Sequence, residues 1–156
     1  MKEEATAFLD FRDLIFTGVG KVNAGYYLMK ELCRKKPDII INLGTAGGFG
    51  FAKGEVVCCN EFVQRDMDVT PLDVELYKTP FSKDPVVLNY GITLEDLPLG
   101  VCGSGDNFEV NHNNDLYNVV DMEAYVLALI AKRENIDFLC LKYISDGADD
   151  EAAEDW

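Results

Sequence analysis

The sequence predicts a single α/β layered domain, and three observations point to it. Short apolar runs alternate with stretches of helical periodicity along the chain. Most of the apolar runs end in glycines, hydroxyls or acids rather than in further apolar residues, as strands do when they open onto a crevice. A hydrophobic content of 48% in 156 residues is enough for one real core and too high for a disordered chain.

Taken in order, Leu14-Ile15-Phe16 is a strand candidate running into Thr17-Gly18-Val19-Gly20. Residues 22–35 then repeat Val22, Tyr26, Met29, Leu32 and Cys33 at helical spacing, which predicts one apolar helix face. Lys30, Arg34, Lys35 and Lys36 suit the negative end of that helix, and Pro37 stops it. Ile39-Ile40-Ile41-Asn42-Leu43 is the clearest buried strand, expected to give way to a turn at Gly44-Thr45-Ala46-Gly47-Gly48. Residues 55–59 and 61–64 make one or two further strands. Residues 66–98 hold four of the five prolines and read as loop. Residues 99–102 form a strand ending in Gly103-Ser104-Gly105-Asp106. Tyr117-Asn118-Val119-Val120 is another strand, residues 122–134 a helix with Met122, Tyr125, Val126, Leu129 and Ile130 on its apolar side, and residues 138–144 a last strand.

Charge narrows the partners. A formal net charge of -14, from 28 acids and 14 bases, disfavours DNA, RNA and acidic membrane surfaces. Six of the last eleven residues are acids, so part of the excess is local and reads as a solvated face. No signal peptide is visible and no apolar run approaches 18 residues, so a cytoplasmic, non-membrane protein is expected. The five cysteines lack C-x-x-C spacing and sit in apolar patterns, which predicts reduced core thiols. No metal-ligand cluster or cofactor motif is visible. His112 lies in a polar run and reads as a loop residue.

Two acids stand where chemistry is expected. Glu123 follows an apolar run and opens a helix, and Asp146 ends the last strand. Each also fits a plain structural role, as an acid favoured by a helix dipole or as an N-cap. Together, at neighbouring strand ends, they would grip hydroxyls and move protons in one crevice. Gly18-Val19-Gly20-Lys21 lacks the P-loop spacer, and Gly44 to Gly50 lacks dinucleotide-fold spacing. Both runs either bring backbone close to a small ligand or make tight turns. Phe108, beside Gly-Ser-Gly-Asp, is either a core ring or a stacking plate.

Five motifs occur in an order that resembles the nucleoside phosphorylase superfamily: Leu43-Gly44-Thr45-Ala46-Gly47-Gly48, Asp66-Met67-Asp68-Val69-Thr70, Ser104-Gly105-Asp106-Asn107-Phe108, Asp121-Met122-Glu123-Ala124 and Ile144-Ser145-Asp146. They are most similar to its branch of 5'-methylthioadenosine/S-adenosylhomocysteine nucleosidases. The resemblance implies a central mixed sheet flanked by helices, shortened here at both ends, in one domain over residues 1–156. It implies hydrolysis of the N-glycosidic bond of an adenine nucleoside, without metal or cofactor, by a homodimer. Asp146 matches the acid at purine N7, Met122 and Glu123 the ribose-binding pair, and Phe108 the purine plate. Thr45 stands where a serine is usual, with Ala46, Gly47 and Ser145 completing the substrate contacts. Glu4 resembles the glutamate that activates water, although the usual strand before it is missing and the connection after it is short. The rivals are a phosphate-dependent phosphorylase, for which Arg65 is the one placed arginine, and a non-catalytic nucleoside-binding protein.

Overall fold

A computed structural model describes residues 13–109, 112 and 114–147. Its elements are α1 (Lys21–Leu32), β1 (Ile39–Gly48), β2 (Val56–Gln64), β3 (Val87–Asn89), β4 (Leu99–Ser104), β5 (Val119–Asp121), α2 (Ala124–Glu134) and β6 (Asp137–Asp146). The six strands form one mixed sheet in the order β3-β2-β4-β5-β1-β6. Strands β1 and β6 run parallel to each other and antiparallel to β5 and β2.

The sheet also closes on itself. Strand β2 changes partner along its length, pairing β6 through Val56 to Cys59 and β3 through Glu61 to Val63. An irregularity at Asn60, where β2 slips register against β4, separates the two stretches. Extra residues of this kind bend and twist a strand, and here the bend lets β2 complete a ring of five strands. The two sequence candidates at residues 55–59 and 61–64 are thus one bent strand.

The β-branched run that starts β1 forms a strand as expected, but the glycine-rich turn does not exist. Residues Gly44 to Gly48 continue β1, laddered to β6 on one side and, at Gly47 and Gly48, to β5 on the other. Close approach accounts for glycine at two of these positions, most strongly at Gly48. A Cβ on Gly48 would lie 2.8 Å from Ile144 Cδ1, and one on Gly44 would lie 3.3 Å from Lys142 Nζ. Leu14 to Phe16 form no strand, for none of the six strands pairs with them. Within the expected loop, β3 adds an edge strand that buries Leu88 completely.

Helix α2 packs on the sheet and α1 packs on α2. The buried face of α2 is Ala124, Tyr125, Leu127, Ala128 and Ala131. Its end is set by Asn135 in the left-handed conformation, φ 53°. The predicted face of α1 is largely wrong. Ala24 and Leu28 are buried, whereas Val22 is 80% exposed and Tyr26 60%. Small residues decide it: Ala24 is fully buried, and a Cβ placed on Gly25 would already touch Val126 at 3.4 Å and Ile130 at 3.8 Å, so α1 meets α2 on its small-residue side. Inside the ring, Phe62 and Phe138 meet edge to face at 5.6 Å among Val57, Val119 and Ile144. Each such buried ring contributes about 1.5–3 kcal/mol. Cys58, Cys59, Cys102 and Cys140 are buried free thiols, while Cys33 is exposed rather than core. No described helix is long and apolar enough to cross a membrane.

Candidate active site

The ends of β4, β5 and β6 converge on the glycine-rich half of β1 and leave a cavity of about 330 Å³. Thr45, Ala46 and Gly47 of β1, Met122 and Glu123 after β5, Ser145 and Asp146 of β6, and Phe108 all line it. Glu4 lies outside the described residues.

The geometry of Asp146 follows from a register shift. Ala46 pairs with Ile144, but Gly47 pairs with Asp146, so Ser145 is an extra residue in the ladder. The shift sets two consecutive polar side chains against one cavity. Ser145 Oγ donates to Asp146 Oδ2 at 2.7 Å and fixes the rotation of the carboxyl. Asp146 is itself buried.

Glu123 sits at the N-cap position of α2 but does not cap it. The backbone N–H groups of Ala124 and Tyr125 donate instead to Asp121 Oδ2 and Ser104 Oγ, each at 2.8 Å. Glu123 is thereby released from its own helix and turned toward α1, where Gly20 N–H donates to Oε1 at 2.7 Å. Burial, then the nearby Asp121 charge, pushes the Glu123 carboxyl above its ordinary range. Gly20 makes this approach at φ 89°, a conformation natural to glycine. The Gly18-Val19-Gly20-Lys21 turn is thus a docking device. Lys21 Nζ pairs with Asp66 and lies 3.7 Å from Asp106, and Asp106 Oδ1 accepts the Lys21 N–H at 2.8 Å.

Two cavity residues carry chemistry that their sequence positions alone did not reveal. Lys142 Nζ forms a buried ion pair with Asp121 Oδ2 at 2.7 Å. Burial works to push Asp121 up, but Lys142 and the hydrogen bonds of Ser104 and Ala124 hold its carboxyl below the usual range. Burial likewise works to pull Lys142 down, and Asp121 outweighs it, holding the ammonium above its ordinary value. The signal was present in the sequence, since a lysine in the middle of an apolar strand needs a carboxylate partner. Arg65, which the sequence offers only as a phosphate ligand, lines the cavity with its guanidinium bound to Gly103, Asn107 and Glu109.

A fold of this kind, with acids at strand ends around a glycine-lined cavity, is that of the phosphorylase superfamily. The family model of that superfamily matches residues 14–156, and the chain belongs to it. Among its relatives, a 5'-methylthioadenosine/S-adenosylhomocysteine nucleosidase of Exiguobacterium sp. strain AT1b is 30% identical, over 89% of this chain and 69% of the relative. The solved structure of the nucleosidase of that name from Neisseria meningitidis, in complex with methylthio-immucillin-A, is 26% identical with a TM-score of 0.77, over 90% of this chain and 70% of that one. The structure of a mutant of the Helicobacter pylori nucleosidase with 5'-methylthioadenosine in its active site shares the fold, with a TM-score of 0.82 at 20% identity, over 90% of this chain and 69% of that one.

Proposed function

We propose that this protein hydrolyses the N-glycosidic bond of an adenine nucleoside of the 5'-methylthioadenosine or S-adenosylhomocysteine type, releasing adenine. The observation that carries this reading is the shared cavity of Asp146, Glu123 and a half-exposed Phe108. Asp146 gives its proton to purine N7 as the C1'–N9 bond breaks and its electron pair passes to the base. Glu123 accepts the ribose hydroxyls. Phe108 stacks on the purine, Thr45 and Met122 flank the sugar, and water adds to C1'. Glu4 is the acceptor proposed for the proton of that water, on the resemblance of its motif alone.

Electrostatics support water over phosphate. Among the described residues, four carboxyl groups, Glu109, Asp121, Glu123 and Asp146, line the cavity together with two cations, Arg65 and Lys142. Both cations already hold carboxylates. With Glu109 and Asp121 paired and Asp146 holding the proton it donates, Glu123 is the lining carboxylate left to stabilise the positive charge that develops on the sugar, and both lining cations are already engaged rather than open to a phosphate dianion. Adenine release from 5'-methylthioadenosine, followed with and without phosphate, tests the proposal. Equal release in both is expected. Release only with phosphate would make the protein a phosphorylase, and binding without release would make it a carrier of nucleosides.

Glu123→Gln is expected to weaken nucleoside binding more than free adenine binding, since only the nucleoside offers ribose hydroxyls. Calorimetry with both ligands checks this, and an equal loss for the two would contradict a ribose contact. The same variant is expected to melt higher above the carboxylate range. A raised folded-state pKa means the fold disfavours the charged form, a cost present at neutral pH and relieved as pH falls through that pKa. Its advantage over the parent should therefore vanish in acid.

A cytoplasmic homodimer is part of the proposal. The free thiols support a reducing compartment. The outward stripe of Val22, Tyr26 and Met29 on α1 supports a partner surface. Sedimentation velocity is expected to give a dimer, and Tyr26→Asp to shift it to monomer.

A further inference from the structure

We propose that Arg65 is a positioning residue for the purine, acting by holding Phe108 in place; this rests on Phe108 being the plate on which the base stacks. Arg65 directly follows β2, and its side chain is only 3% exposed. Its backbone N–H donates to Ser104 O at 3.0 Å. The guanidinium reaches the residues before and after Phe108 in the chain. Nε donates to Gly103 O at 3.2 Å, Nη1 to Asn107 Oδ1 at 2.9 Å, and Nη2 to Asn107 O. Beyond Phe108, Nη1 lies 3.3 Å from Glu109 Oε2. Glu109 is fixed further by Tyr117 Oη, which donates at 2.9 Å, and by His112 Nδ1 at 3.0 Å. The neighbouring Asp66 accepts the Asp106 N–H at 2.8 Å. Two consecutive residues just past one strand end therefore grip the segment on either side of an aromatic residue that is 48% exposed and lines the cavity.

Gly105 is shaped for the same grip. A Cβ there would lie 2.9 Å from Arg65 Cζ and 2.9 Å from Asn107 Oδ1, so the guanidinium approaches this closely only because position 105 has no side chain. The planar fork of arginine is what spans these acceptors, and the compact ammonium of lysine cannot. Stacking depends on ring offset and separation, so a plate that drifts loses the base without losing the fold.

A double-mutant cycle on adenine affinity, read by calorimetry, tests this. Phe108→Ala is expected to weaken adenine by about tenfold or more. Arg65→Lys is expected to weaken it by about five- to tenfold in the parent. In the Phe108→Ala background, Arg65→Lys should add no further loss. Retained affinity in Arg65→Lys, or an equal loss in both backgrounds, overturns the positioning role and leaves the plate intact. Unchanged affinity in Phe108→Ala removes the plate itself, and this proposal with it. If Arg65→Lys fails to fold, exposed Asn107→Ala replaces it in the same cycle. A weaker adenine complex at an unchanged melting temperature supports the grip, and parental affinity overturns it.

Discussion

Asp146→Asn is expected to lower the turnover of 5'-methylthioadenosine by roughly 10²–10⁴-fold, the range for one group in general acid catalysis, while the protein still folds and still binds. The argument starts from the register shift at the end of β6. Because Ser145 is an extra residue against β1, Asp146 comes to face Gly47 and the cavity, with its carboxyl rotation set by Ser145 Oγ. An asparagine keeps the volume and accepts the same hydroxyl through its own oxygen. Its amide donates a hydrogen bond to purine N7 but cannot release a proton as the glycosidic bond breaks. Loss that exists only in the transition state lowers kcat and leaves KM nearly unchanged. Steady-state adenine release, together with a thermal melt, gives both quantities. A folded variant turning over near the parent rate would remove Asp146 from the role of acid.

The acids at strand ends were legible because a carboxylate that closes a short apolar run must either meet a partner or face a crevice. What the sequence could not carry is which residue each acid faces. Asp121 and Glu123 are two apart at one junction, yet only one serves the helix. That depends on Ser104 and Lys142, brought in from β4 and β6. The glycine run was misread for a related reason. Glycine marks either a turn or a close approach, and only the positions of Ile144 and Lys142 across the ladder decide between them. The face of α1 failed because hydropathy weighs large side chains, while the contact with α2 is made through Ala24, Gly25 and Leu28. Ring closure through β2 depends on one irregular position, Asn60, which has no local sequence signature. Arg65 was visible as a lone cation near the site, but its use became clear only once residues 103–109 lay beside it.

Lys142→Met should cost about 3–5 kcal/mol of stability, because it strands a buried carboxylate. Both members of the Asp121–Lys142 pair are almost wholly enclosed, so water cannot take the place of the lost ammonium. The pH dependence follows from the direction of the Asp121 shift. A carboxylate whose folded-state pKa lies below its unfolded value adds stability above the unfolded pKa, and that stability is lost as pH falls through the folded one. The parent should therefore weaken on acidification through the carboxylate range. Without Lys142 the sign reverses, since burial alone favours the neutral acid, and the gap between variant and parent should narrow as pH falls. Urea unfolding across that range checks both statements, and a gap that stays constant would mean the cost is packing rather than charge. Asp121→Leu combined with Lys142→Met separates the two causes further. Replacing a buried ion pair entirely by apolar groups is often nearly neutral, but Asp121 also accepts the Ala124 N–H at the start of α2. Losing that cap costs about 0.5–2 kcal/mol, and the buried Ser104 hydroxyl also loses its acceptor on Asp121, so the double variant is expected to recover much of the stability of the parent and to stop short by the worth of the helix cap and that hydrogen bond.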